Sequence, residues 1–487
     1  MEEIMSTCGT LESLGSQSQP ILLAGSPVQR AEKLEIASPW NSQFRRIVSQ
    51  ANKADAETAL AAIDASFSVT RTLSSWQRSS ILQRISDLIT KDATVLAQLI
   101  ALEAGKSISD SRLEVTRAVQ TFRVAAEEAK RIGGEILPLD WTPGSEHRVA
   151  MTQRVPVGPI LGISPFNFPL NLIAHKLAPA IATGNPIIIK PSPFTPVTAL
   201  SLAMIAVEAG WPKEAISVLP CDNKVAEILL RDDRIRKLSF TGSAEVGWRL
   251  KSIVPKKHVT LELGGNAAVI VNDDADIILA AQKILQGGFT YSGQSCISVQ
   301  RVFVHEDLAS ALIEKVSVGL QKLVSGDPFD DATQLGPMIN EEAAIRAYNW
   351  IRTAVDGGAK LIHGGNRKTL HIDPTLLSEV PDDTPLAQEE VFAPVAFINK
   401  FSDFSSALAA VNRSRYGLQA GIFTQRWSSI AEAWKTLEVG AVLINESPSW
   451  RVEHQPYGGV KDSGFGREGI RSAMEAMTET RLLILSR

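Results

Sequence analysis

Three cysteines occur in the chain, Cys8, Cys221 and Cys296, and one of them stands where a thiol can react. Cys296 closes the segment Tyr291-Ser-Gly-Gln-Ser-Cys296, between a helical run and the β-prone Val299-Gln-Arg-Val-Phe-Val304. Gly293 and small polar neighbours leave it accessible, as a buried structural cysteine would not be, and a thiol that ionises is a nucleophile. A lone loop cysteine is nevertheless more often inert. Cys8 falls in the polar N-terminal stretch and Cys221 in a Pro-Cys-Asp turn, without comparable surroundings. Glu262 is the discordant residue of His258-Val-Thr-Leu-Glu-Leu263, a carboxylate inside a β-run that ends at Gly264-Gly265. It is either an exposed alternate-face residue or a base held in a cleft. Asn167, in Ser164-Pro-Phe-Asn-Phe-Pro169, is an amide in a loop stiffened by aromatics and prolines. Turn-capping is the commoner use of such an asparagine; donation to an oxyanion is the other.

Two further segments have the chemistry of a phosphate site. Phe240-Thr241-Gly242-Ser243 follows a strand-like run and opens the helical Ala244-Glu-Val-Gly-Trp-Arg-Leu-Lys251. Gly242 permits close backbone approach, Ser243 can cap the helix, and unpaired N–H groups at a helix start attract a pyrophosphate. An ordinary βα turn reads the same way. Lys190 ends Pro186-Ile-Ile-Ile189, where open α/β sheets bind ligands, although a strand-end lysine also reaches water readily. The literal G-x-G-x-x-G string at Gly464–Gly469 follows Lys461-Asp462-Ser463 and no hydrophobic strand, so it lacks the context of a dinucleotide fingerprint.

The elements that must position these residues alternate along the chain. Segments near 51–69, 76–104 and 107–132 carry apolar residues at helical spacing. A turn signal, Thr142-Pro-Gly-Ser145, splits two extended runs and predicts a projecting hairpin. From residue 159 short β-branched runs alternate with helical ones, and the alternation resumes after Gly264-Gly265. Strands apolar on both faces and separated by helices imply two α/β lobes with mostly parallel sheets. The tail Arg481-Leu-Leu-Ile-Leu-Ser486 reads as an edge strand for a neighbour or for the hairpin.

Composition bounds what such a protein can be. The 487 residues carry 49 Lys+Arg against 53 Asp+Glu, a net charge of −4, with 44% hydrophobic and 21% charged residues. That length allows about three domains and the apolar content excludes dominant disorder. A mildly acidic balance offers no footprint for nucleic acid or anionic lipid. Scattered cysteines fit neither a disulfide framework nor a metal site. With an acidic N-terminal stretch and no apolar run of spanning length, the expectation is a soluble cytoplasmic protein.

Taken together, PFNFP (165–169), KPS (190–192), FTGS (240–243), LELGG (261–265), GQSC (293–296), QEEVFAP (388–394) and PYGGVKDSGFGREG (456–469) resemble the aldehyde dehydrogenase superfamily, in its order, over about residues 30–487. The resemblance implies Cys296 as nucleophile, Glu262 as general base and Asn167 as oxyanion donor. It implies that Lys190, Ser192, Phe240, Gly242 and Ser243 hold the adenosine end of NAD or NADP, with Glu390 on the nicotinamide ribose and Phe392 against the nicotinamide. Strongly NAD-selective members often carry a glutamate where this chain has Pro193, so NADP use is permitted. Acyl transfer to coenzyme A is disfavoured, because members doing so usually lack the glutamate matched by Glu262.

The implied architecture is a cofactor-binding domain (1–132 and 155–262), a catalytic domain (263–457) and bridging segments (133–154 and 458–487), forming a homodimer or homotetramer. Arg117, Phe168, His175, Arg451 and His454 fall at positions that commonly line the aldehyde tunnel or its closing loop. Their polarity implies a small polar or anionic aldehyde, as in members that oxidise lactaldehyde. An ion pair of Arg117 with Glu114 or another nearby acid is the competing reading. A broad-specificity enzyme for apolar aldehydes, a thioester hydrolase and a non-catalytic relative are the alternatives.

Overall fold

The structure, a computed structural model, describes residues 18–486, so Cys8 lies outside the described residues. Four helices build the first helical layer: Lys53–Thr70, Ser75–Lys91, Ala93–Ala104 and Ile108–Glu128. Asn52 with Asp55 and Ser74 with Gln77 form reciprocal capping boxes that start the first two. The single helix expected over 76–104 is two. Asp92 (φ −99°, ψ 16°) ends one and begins the next, and the apolar periodicity continues across the break, which hides it in the sequence.

Two sheets form the body. The first has eight strands, with Ile216–Val218, Ile187–Lys190, Ile160–Ile163, Lys237–Thr241 and His258–Glu262 side by side and parallel. Ile187, Ile188 and Ile189 are fully buried, as strands covered on both faces must be. The second has seven strands in the order Lys360–His363, Thr375–Ser378, Val395–Phe401, Val299–His305, Ala267–Val271, Gln419–Phe423 and Ala441–Ile444, all parallel except the first. The two-lobed α/β architecture expected from the alternation is the one observed. Among the described residues no helix is long and apolar enough to cross a membrane.

The C-terminal segment ties the parts together. Thr478–Ser486 pairs residue for residue with Arg148–Pro156, so the tail strand joins the hairpin of its own chain. Gly464–Phe465 runs antiparallel to Leu261–Glu262, beside the end of the first sheet. That explains the glycine of the decoy string: a Cβ on Gly464 would sit 2.7 Å from the Leu261 carbonyl.

One buried ion pair anchors the loops that follow. Lys106 Nζ lies 2.5 Å from Glu114 Oε2, both essentially without exposure. Glu114 Oε1 accepts from Leu170 N (2.9 Å) and Asn171 N (3.1 Å), the orphan donors at the start of helix Asn171–Thr183. The Lys106 ammonium sits over the Phe168 ring (3.8 Å) and the Tyr291 ring (4.4 Å). Removing one partner leaves an uncompensated buried charge. Glu114→Ala is therefore expected to lower the unfolding free energy by about 3–5 kcal/mol in denaturant titrations. Lys106→Met/Glu114→Gln, which keeps an acceptor for the two amides and buries no charge, is expected to recover most of it.

Candidate active site

The cysteine loop is built from strained backbone. After helix Ile277–Phe289, Tyr291 (φ 49°), Ser292 (φ 52°) and Gly293 (φ 68°) are left-handed in succession. For the two non-glycines this costs on the order of 1–3 kcal/mol each. It is held by Tyr291 N donating to Asp110 Oδ2 (3.0 Å), Tyr291 Oη to Ala104 O (2.9 Å) and Ser292 Oγ to Gly336 O (2.7 Å). At Gly293 a side chain is impossible, since a Cβ would lie 2.0 Å from Ala393 O. The loop presents a partly buried Cys296 whose Sγ is 3.2 Å from Tyr457 Oη. Burial pushes the Cys296 thiol up to about 12, the contact with Tyr457 and the charge of Arg451 oppose this, and Glu390 and Glu262 add to it.

Glu262 ends its strand almost fully buried, at 4% exposure, and neither carboxylate oxygen has a partner among the described residues. Burial and the charge of Glu468 raise its pKa well above the carboxylate range, against Arg451, Lys176 and Arg467. Asn167 Nδ2 donates to Gln294 O (3.1 Å), which fixes the amide and leaves one N–H unused. Cys296, Glu262 and Asn167 line one cavity of about 470 Å³ between the two sheets.

The same cavity is lined by Thr241, Gly242, Ser243, Gly264, Glu390 and Phe392. Ser243 caps helix Ala244–Ile253 through Val246 N. Glu390 Oε1 accepts from Gly265 N (2.9 Å), and a Cβ on Gly264 would lie 2.4 Å from its other oxygen. Burial raises Glu390 to about 7, against that hydrogen bond and Arg346. Glycines at 242 and 264, a capped helix start and a carboxylate in one cleft fit a dinucleotide. Lys190, Ser192 and Phe240 are not among the residues that line the cavity. Lys190 ends a strand separated from Lys237–Thr241 by Ile160–Ile163, and Ser192 Oγ accepts from Phe194 N (3.2 Å). Phe240 is packed in the core beneath Gly242.

Beyond Cys296, among residues that do not line the cavity, lies a charge network buried except for the partly exposed Arg117. Arg117 Nε donates to Glu453 Oε1 (2.7 Å), and His175 Nε2 meets Glu453 Oε2 (2.5 Å). Arg451 Nη2 is 3.2 Å from both His175 Nε2 and Glu468 Oε1. Against the upward push of burial, His175 and the two arginines hold Glu453 well below the usual carboxylate range. Glu114 is committed to Lys106, so the acid that pairs with Arg117 is Glu453. Arg117 also lies over Phe168, its guanidinium carbon 5.9 Å from the ring centroid. His454, adjacent in sequence, is exposed.

Glu453, Glu468, Tyr457, Lys176 and Arg346 were not legible as site residues. The acids and the tyrosine sit in an irregular loop with no period, and Arg346 on a helix whose exposed face carries other charged and polar residues. A buried glutamate within a loop that also carries Arg451 and His454 was the available signal.

The chain and its fold are similar to those of known proteins. Residues 27–483 match the aldehyde dehydrogenase family, and the chain belongs to it. It is 42% identical over 457 residues to a 3-sulfolactaldehyde dehydrogenase of Priestia aryabhattai, covering 94% of this chain and 95% of that one. Aldehyde dehydrogenase 21 of Physcomitrella patens, solved with its product succinate, superposes with a TM-score of 0.95 at 40% identity, covering 96% and 98% of the two chains. A glyceraldehyde-3-phosphate dehydrogenase of Methanocaldococcus jannaschii, complexed with NADP, gives 0.90 at 35% identity, covering 94% and 100%.

Because burial and the charge of Glu468 raise the Glu262 pKa, its basic form grows at higher pH than that of an ordinary carboxylate. Acyl-enzyme hydrolysis, followed by single-turnover release of acid, is expected to accelerate as pH rises through that raised pKa. Glu262→Gln is expected to abolish that dependence and accumulate the acyl-enzyme by intact mass; full turnover by this variant rejects the base assignment.

Proposed function

We propose that this enzyme oxidises a small polar or anionic aldehyde to its carboxylic acid with NAD or NADP, by covalent catalysis at Cys296. The observation that carries the reading is the meeting of Cys296, Glu262 and Asn167 in one cavity that Gly242, Ser243, Glu390 and Phe392 also line. Oxidised nicotinamide, when bound, supplies the hydride acceptor. The Cys296 thiolate adds to the aldehyde carbon, and the carbonyl oxygen becomes an oxyanion held by the free N–H of Asn167 and the Cys296 backbone amide. Loss of hydride from that carbon leaves a thioester on Sγ. Glu262 then takes a proton from water as its oxygen attacks the thioester carbon, and the carboxylic acid departs as the thiolate returns.

The charge network supports an anionic substrate. Arg117 spends only Nε on Glu453, and its two Nη groups have no hydrogen-bond partner among the described residues. Arg451, whose side chain is 6% exposed, has an unpartnered Nε. The buried, unpartnered Nε of Arg451 and the partly exposed Nη groups of Arg117 offer donors that suit a carboxylate, sulfonate or phosphate on the aldehyde. A sulfolactaldehyde-oxidising relative and a succinate-bound neighbour are consistent with this. Pro193 places no acid that would repel a 2′-phosphate, which supports use of both nicotinamide cofactors. A homodimer or homotetramer is supported by the outer strand Thr478–Ser486, where Leu482, Leu483, Ile484 and Leu485 are each about half exposed. A reducing cytoplasm suits the free Cys296 thiol.

An aldehyde panel with NAD and with NADP, following reduced cofactor, tests the reading. Short anionic aldehydes are expected to turn over best, and Cys296→Ala to abolish oxidation. Thioester cleavage without any aldehyde oxidation would instead favour a hydrolase. Arg117→Leu is expected to cut kcat/KM on anionic aldehydes at least about 10-fold more than on uncharged ones. Equal losses on both reject the anion clamp.

A further inference from the structure

The Tyr457 hydroxyl has one hydrogen-bonding neighbour among the described residues, the Cys296 sulfur at 3.2 Å. The tyrosine cannot swing away from it. Tyr457 N donates to Glu468 O (2.9 Å) and Tyr457 O accepts from Glu468 N (2.6 Å), which pins the backbone. The side chain, 4% exposed, packs with Ile297 and Leu418. On its ring face lies Arg451, guanidinium carbon 3.8 Å from the centroid. The charged groups that act on the sulfur are Arg451, which favours thiolate, and Glu262 and Glu390, which oppose it. Burial opposes it most, so the sulfur has a large desolvation cost that a local donor offsets together with the charge of Arg451.

We propose that Tyr457 is a catalytic hydrogen-bond donor to the Cys296 thiolate, and that Arg451, pressed on its ring, makes the hydroxyl a stronger donor. The inference rests on the reading of Cys296 as nucleophile. A hydrogen bond to the charged form of a group favours that form, and a cation over an aromatic face draws electron density from the ring. The thiol proton leaves to solvent and Tyr457 keeps its own throughout. The hydroxyl then serves twice: it stabilises the attacking thiolate, and it stabilises the same thiolate when hydrolysis of the thioester expels it. The opposite polarity, S–H donating to the phenol oxygen, would stabilise the neutral thiol. The direction of the shift on removing the hydroxyl separates the two.

The test is the pH dependence of iodoacetamide alkylation at Cys296, with the adduct located by peptide mass spectrometry and Cys296→Ala as background. In Tyr457→Phe the profile is expected to move to higher pH, with alkylation about 3–10-fold slower near neutrality and an unchanged alkaline limit. That unchanged limit also reports an intact fold. kcat is expected to fall by a similar factor with little change in KM. Uniform replacement of the four tyrosines by 3-fluorotyrosine, a more acidic donor, is expected to move the profile to lower pH in the wild type and not in Tyr457→Phe. Superimposable profiles, a downward shift in Tyr457→Phe, or no response to fluorination overturn the proposal. Failure of the underlying reading is separate: Cys296→Ala would then oxidise aldehydes whatever the alkylation profiles show.

Discussion

Two loops that carry the candidate chemistry, one with Asn167 and one with Cys296, come from opposite lobes and meet on a single ammonium group. Lys106 lies against Phe168, next to Asn167, and against Tyr291, in the turn that leads to Cys296. Its counter-ion Glu114 satisfies the first amides of the helix that follows Asn167. A buried pair of this kind is a weak source of stability relative to an apolar substitute, but it has one geometry in which every charge is met. The left-handed Tyr291-Ser292 backbone depends on it indirectly, because the same stretch of chain supplies Ala104 O and Asp110 to Tyr291. Strain at the cysteine loop is thus offset by contacts some 180 residues earlier in sequence.

Around the cavity, like groups are driven to unlike states. Glu262 and Glu468 are both buried, yet the first is raised and the second lowered, since His175, Arg451 and Lys176 act on Glu468 while Glu262 has no hydrogen-bond partner among the described residues. Such divergence separates a group free to exchange protons from one that holds charge for its neighbours. Lys176, whose Nζ reaches Thr241 Oγ1 at 2.6 Å, adds a positive charge between the base and the glycine turn. The desolvation of this polar interior is offset in part by pairs such as Arg117–Glu453 and Arg451–Glu468.

The legible parts of this protein were those with a period or a local rule. The parallel sheets announced themselves as apolar runs such as Ile187–Ile189 between helical stretches. Glu262 stood out because a carboxylate at the end of a buried strand breaks the pattern. Ser243 was readable as a cap because capping is a matter of adjacent residues. Contacts over long sequence distances were not readable. Nothing near Arg117 indicates Glu453, 336 positions away. The left-handed Tyr291 and Ser292 were hidden as well, because their conformation is imposed by tertiary contacts and not by residue type. Phe240 shows the converse: a motif residue whose ring belongs to the core while its neighbours Thr241 and Gly242 face the cavity.

The late position of the closing strands has a consequence for biosynthesis. The strand that ends in Glu262 gains its neighbour Gly464–Phe465, and the hairpin strand Arg148–Pro156 gains Thr478–Ser486, only when the last tenth of the chain exists. While a ribosome is still adding residues, the emerged lobes therefore carry unpaired strand edges and an unfinished cleft. A chain that stops before Gly464 leaves both strand edges open to pairing with other chains.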